Sequence, residues 1–157
     1  MRVVAVVVLI CIACALVFAQ ATPSGDKWLG TWVMDATKSK YQTGPLPKSA
    51  TLTITDANGN VKVVFESVNS FDVPATTQFV AKFDGPEVEV DGGQLGTIVS
   101  LKRIDLYTFD VIQKVKPGIT MSGRHVISRD GKTMTVTQNV TNVDGLKLVN
   151  RVVYDKK

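Results

Sequence analysis

Ile119-Thr120-Met121-Ser122-Gly123-Arg124-His125-Val126-Ile127-Ser128, the turn pair Asp130-Gly131, and Lys132-Thr133-Met134-Thr135-Val136-Thr137-Gln138-Asn139-Val140-Thr141 read together as one β-hairpin. Side chains alternate faces along a strand. One strand therefore turns Ile119, Met121, Gly123, His125 and Ile127 to one side, and the other turns Met134, Val136, Gln138 and Val140. A two-residue loop at Asp130-Gly131 pairs Ile127 with Met134, His125 with Val136 and Gly123 with Gln138. That register keeps both apolar faces together, and a slip of one residue would invert one of them.

The neighbouring segments extend the same face. A three-residue loop at Lys116-Pro117-Gly118 joins Leu106–Val115, pairing Phe109 with His125 and Val111 with Gly123 and turning Tyr107, Gln113 and Val115 inward. A three-residue loop at Val143-Asp144-Gly145 joins Leu146–Asp155, pairing Gln138 with Asn150 and Met134 with Tyr154. Leu146, Leu148 and Val152 share that face.

Upstream the pattern repeats. Trp28–Asp35, Ala50–Thr55, Val61–Glu66, Thr76–Phe83, Glu87–Val90 and Thr97–Ile104 read as strands, with Asn58-Gly59 as a hairpin turn needing two positive φ angles. About ten strands on short loops predict an all-β chain, a single antiparallel up-and-down barrel of about 8–10 strands, with a two-sheet sandwich as the alternative. Ala36–Lys48 is the only sizeable non-strand stretch. Its Lys38-Ser39-Lys40-Tyr41 part allows one helical turn, and the whole is long enough to cover a barrel mouth.

The N-terminus reads differently. Arg2 precedes a nearly continuous apolar run from Val3 to Phe18, followed by the small-x-small sequence Ala19-Gln20-Ala21. This predicts a signal peptide at residues 1–21 and an extracytoplasmic (periplasmic or secreted) domain at 22–157, with no stable membrane insertion after cleavage. Both cysteines, Cys11 and Cys14, fall in the leader. The mature chain is thus expected to fold without a disulfide. Its net charge, +4 with Arg2 and +3 without it, is spread along the sequence. A nucleic-acid partner, which needs a basic stripe, is not expected.

The interior polar residues define a candidate ligand site. His125, Gln138, Asn150 and Gln113 form a neutral hydrogen-bonding patch among apolar neighbours such as Tyr107 and Phe109, with space left by Gly123. Arg103 shares the parity of Val99 and Leu101 and is a candidate carboxylate partner at the barrel end near Tyr107. The same patch equally describes a solid core whose polar groups satisfy one another. Trp28, Gly30, Trp32 and Met34 share a face, and Gly30 leaves room beside the two indoles for a plug at one end.

Catalytic signals are sparse. His125 is the only histidine, no Gly-x-Ser-x-Gly motif occurs, and the turn aspartates do not form a calcium loop. The expectation is a non-enzymatic protein with no metal and no cofactor.

Gly30-x-Trp32 on a first strand, with basic Arg151 on the last, resembles the lipocalin and fatty-acid-binding superfamily of barrels. The resemblance implies that Arg151 packs across the tryptophan and, with Trp28, Gly30 and Trp32, closes one end. Leu29-Gly30-Thr31-Trp32, Ala36-Thr37-Lys38-Ser39-Lys40-Tyr41, Gly44-Pro45-Leu46-Pro47-Lys48-Ser49, Val99-Ser100-Leu101-Lys102-Arg103-Ile104-Asp105, Ser128–Thr137 and Val153-Tyr154-Asp155-Lys156 look like bacterial secreted lipocalin-like proteins. That likeness covers nearly the whole of 22–157 and implies a fold and a compartment, without an activity. The insert after the first strand is too short for a two-helix lid. Arg151-Val152-Val153-Tyr154 also lacks an Arg-x-Tyr spacing, so no fatty-acid carboxylate site is implied. The functional expectation is a barrel for a small apolar or amphipathic ligand. The alternative is a structural or protein-interaction module of the envelope with a filled barrel.

Overall fold

The computed structural model describes residues 26–94, 96–115 and 118–157. The expected leader at residues 1–21 and the Lys116-Pro117 part of one turn lie outside them. Ten strands form one antiparallel sheet: β1 (Gly30–Met34), β2 (Ser49–Ala57), β3 (Asn60–Val68), β4 (Pro74–Ala81), β5 (Val88–Glu89), β6 (Ile98–Arg103), β7 (Thr108–Val115), β8 (Ile119–Ile127), β9 (Thr133–Thr141) and β10 (Lys147–Lys156). Their spatial order is β4-β3-β2-β1-β10-β9-β8-β7-β6-β5. Each strand pairs with its sequence neighbour, except that β1 also joins β10 and that β4 and β5 form no ladder. The architecture is a nearly closed up-and-down barrel with no helix among the described residues.

The β4–β5 seam is bridged at Gln78–Asp91 and, just past the end of β4, at Phe83–Leu101. Gln78 and Asp91 exchange two backbone hydrogen bonds of 2.9 and 2.8 Å, and the Gln78 side-chain amide donates to the Asp91 carboxylate at 2.8 Å. Gly92, next in line, has φ +71°, and a Cβ there would lie 2.3 Å from the Thr76 carbonyl oxygen. Only glycine lets the two chains approach so closely.

All seven cross-strand pairs predicted from turn lengths occur, from Phe109 with His125 to Met134 with Tyr154. Asn58 and Gly59 both have positive φ (57° and 81°), as their hairpin turn requires. The turn at Asp130-Gly131 differs from expectation. Only Gly131 has positive φ, and Ser128 N–H donates to the Thr133 carbonyl at 2.8 Å, so residues 129–132 form a four-residue loop. The Asp130 carboxylate accepts from the Ser128 hydroxyl and the Lys132 amide, which holds this wider turn without changing the register.

One end of the barrel is packed solid. Trp32 is fully buried and Trp28 nearly so, and the Trp32 indole N–H donates to the Trp28 carbonyl at 2.8 Å. Trp28 meets Phe83 edge-on at 5.1 Å. Two cations cover these rings. Lys156 Nζ lies 5.0 Å from the Trp32 ring centre, and the Arg103 guanidinium lies 5.5 Å from Trp28 and 4.9 Å from Phe83 while pairing with Asp26 at 3.0 Å.

Two expectations about this end are corrected. Arg151 does not cross the tryptophan; it is exposed on the outer face, its guanidinium 3.4 Å from the Lys38 carbonyl. Strand alternation explains this, because Arg151 has the opposite parity to the inward Asn150, Val152 and Tyr154, whereas Lys156 has the same one. Gly30 makes room for Lys156 rather than for the indoles: a Cβ on Gly30 would meet Lys156 Cε at 2.7 Å.

Because Trp32 anchors this packing, Trp32→Ala is expected to cost about 3–5 kcal/mol in urea unfolding, through lost burial and the cavity left behind. A loss below about 1 kcal/mol would show that the plug is dispensable.

Candidate functional site

The opposite half of the barrel is hollow. Beyond the plug, inward side chains leave a cavity of about 190 Å³. Its walls are mainly aliphatic and aromatic, including Val63, Phe65, Phe79, Val111, Met121, Val136 and Val152. Tyr41, Thr77, Gln113, His125, Gln138 and Tyr154 supply the polar groups. Gly123 and Phe109 also belong to the wall.

His125 is set into the wall by β8. Its ring stacks on Phe109 across the β7–β8 pair, with centres 4.4 Å apart and planes 13° from parallel. Gly123 permits this placement, since a Cβ there would come within 3.2 Å of His125 Cε1. Nδ1 lies 3.1 Å from the Gly123 carbonyl oxygen and donates to it in the tautomer that leaves Nε2 as an acceptor. Burial pushes the imidazole down to about 4, against weaker upward pulls from the Gly123 carbonyl and the Asp110 carboxylate. Asp110 is itself engaged on the outer surface by two 2.8 Å bonds from Arg124. His125 is therefore neutral at pH 7.

Asn150 has a different setting. It is buried, and its side chain is fully engaged: Oδ1 accepts from the amides of Gln42 and Thr43 at 2.9 and 3.2 Å, and Nδ2 donates to Thr43 Oγ1 and Gln138 Oε1 at 2.9 Å each. It acts as a strut between β10 and the segment after β1. That segment has no helical turn at residues 38–41. Instead Lys40 pairs with Arg151 through two backbone bonds of 2.7 and 2.8 Å, Val153 N–H donates to Ser39 Oγ, and Val149 N–H donates to Gln42 Oε1. The cause lies in strand lengths. β10 has ten residues and β1 only five, so half of the β10 edge would otherwise be unpaired. The segment completes that edge and carries Tyr41 to the cavity wall.

Among the residues singled out from the sequence, the structure gathers His125, Gln138, Gln113 and Phe109 around the cavity. Asn150 stands behind Gln138, engaged with the loop. Tyr107 lies toward the closed end under Arg129, whose guanidinium is 4.4 Å from its ring, and Arg103 belongs to the tryptophan plug. Both are placed there because the β6–β7 turn is at the closed end of the barrel. Tyr41 and Tyr154 were not singled out as site residues. Burial raises both phenols, and the proximity of Tyr41 adds to the rise of Tyr154, so both stay protonated. Tyr154 was legible as an inward residue, whereas Tyr41 lies in a segment without periodicity.

No protein-family profile matches the chain, and no curated protein sequence matches it. Solved structures do. A Schistosoma mansoni fatty acid binding protein in complex with arachidonic acid superposes with a TM-score of 0.58 at 18% identity, over 83% of this chain and 96% of that one. A de novo designed fluorescence-activating β-barrel superposes with a TM-score of 0.45 at 12% identity, over 83% and 94%. The fold is that of the fatty-acid-binding and lipocalin-like barrels.

Two outcomes follow from this geometry. His125 has its folded pKa depressed from 6.5 to about 4, so the unfolded chain binds its proton first. Stability is expected to fall by about 3 kcal/mol as pH drops from 6.5 to 4, with no contribution from this group above that window. NMR titration of this single histidine and comparison with His125→Phe check both parts. A normal pKa near 6.5, or an unchanged pH slope in the variant, would contradict the burial. Separately, Asn150→Ala is expected to cost about 1–3 kcal/mol and to speed hydrogen exchange at the Gln42 and Thr43 amides; unchanged exchange there would remove the strut.

Proposed function

We propose that the protein is a non-enzymatic carrier that holds a small apolar or amphipathic molecule inside its barrel. The observation that carries this reading is the cavity of about 190 Å³ with an apolar wall and a few placed polar groups. Such a composition is typical of small-molecule sites. The barrel likeness to a protein named for fatty-acid binding supports the same reading at the level of a hydrophobic ligand.

The reading also places the protein outside the cytoplasm, as a secreted or periplasmic lipocalin-like domain spanning residues 22–157. The support is in the sequence: Arg2, the apolar run to Phe18 and Ala19-Gln20-Ala21. An exported chain beginning at Thr22 is the expected product of expression in a secreting host, and N-terminal sequencing reads it directly.

Toluene, an uncharged probe of suitable size, tests the binding itself by calorimetric titration. It is expected to bind saturably at one site. Val111→Phe and Gly123→Leu, which fill the cavity from different strands, are expected to abolish the binding while each variant retains a cooperative melting transition. Absence of saturable binding to the parent chain would overturn the reading, as would undiminished binding to both folded variants.

A further inference from the structure

Among the described residues, none that lines the cavity carries a charge at neutral pH. The wall contains no Lys, Arg, Asp or Glu, and its titratable members are His125, Tyr41 and Tyr154. Burial holds His125 neutral and both phenols protonated. Three of the described cations are committed elsewhere. Arg103 pairs with Asp26 over the plug, Arg124 holds Asp110 on the outer surface, and Lys156 lies across Trp32. A carboxylate entering this space would lose its hydration without meeting a counter-charge, whereas a hydroxyl or carbonyl loses far less.

One polar group inside calls for an acceptor. Gln138 Oε1 is taken by Asn150 Nδ2, which fixes the orientation of the amide. Among the described residues its Nε2 then has the Met121 sulfur alone, at 3.9 Å, a weak acceptor. A ligand oxygen would replace that sulfur with a stronger partner. Size narrows the class further. An apolar cavity of about 150 Å³ suffices for benzene, so this one, at about 190 Å³, suits a ligand of about eight non-hydrogen atoms.

We infer that the cavity selects uncharged, ring-sized ligands whose hydroxyl or carbonyl oxygen accepts from the Gln138 amide, and that it excludes carboxylates of the same skeleton. This inference rests on the binding function proposed above and adds the chemical class of the ligand. The selection acts on the charge of the ligand. A carboxylate probe therefore gains affinity as acid protonates it, about tenfold per pH unit above its own pKa. His125 stays neutral down to about 4, so the wall provides no new cation between pH 7 and pH 5.

Toluene, benzyl alcohol and benzoate form the test series, titrated calorimetrically into the purified protein. At pH 7 the alcohol is expected to bind about 100-fold or more tighter than the carboxylate. At pH 5 the gap should narrow by roughly 100-fold, following the ligand's own protonation. Gln138→Met should remove the alcohol's advantage over toluene, and Gln113→Arg should raise carboxylate affinity at pH 7. Equal or tighter carboxylate binding at pH 7, with toluene still bound, overturns the charge selection and leaves the carrier function standing. An alcohol advantage that persists in folded Gln138→Met overturns the role of that amide. Failure of toluene itself to bind brings down the carrier reading, and this inference with it.

Discussion

The antiparallel pairing of β1 with β10, at Trp32 with Lys156 and Met34 with Tyr154, joins the two ends of the described chain into one sheet. Every other ladder joins strands adjacent in sequence, most of them through short turns. This single non-local pairing converts the meander into a barrel and leaves only the β4–β5 seam to be bridged. It also decides what lies at each end. Trp32 and Lys156 meet at the β1–β10 pair, so the tryptophan plug forms where the sheet closes. The cavity is left in the remaining half.

That pairing is short because β1 is short, and the consequences extend to the site. Half of β10 needs another partner, and the segment after β1 supplies it through Lys40, Gln42 and Thr43. Asn150 is consumed in that attachment, which in turn fixes Gln138 and places Tyr41 against the cavity. An edge-covering device thereby sets the polar lining of the interior. The electrostatics follow the same division. Arg124 pairs with Asp110 on the outer face, Arg103 and Lys156 lie over the aromatic plug, and the polar groups of the described residues lining the cavity are neutral.

Much of the fold was legible because the strand period is two and the turns carry their own signatures. The faces of β7 to β10 followed from loop lengths alone, and they brought His125, Gln113 and Gln138 together correctly in space. Parity also held the answer at the closed end: Arg151 has the outward parity, and Lys156, one step beyond Tyr154, has the inward one. The superfamily resemblance drew attention to the arginine instead. What the sequence concealed was non-local and aperiodic. Nothing in Ala36–Lys48 announces that its amides seek Asn150, or that Tyr41 reaches the interior, since those contacts exist only after β10 is in place. The wider loop at residues 129–132 was likewise hidden, because it yields the same register as a two-residue turn.

The claim on which the rest stands is that the barrel is hollow and apolar above its tryptophan plug. A crystal of the ligand-free protein pressurised with xenon tests it most directly, since xenon occupies dry apolar cavities of this size. The account predicts a bound xenon atom among Phe109, Val111, Val136 and Val152, with the surrounding side chains unmoved. An interior without xenon, closed by those same side chains packed against one another, would contradict it.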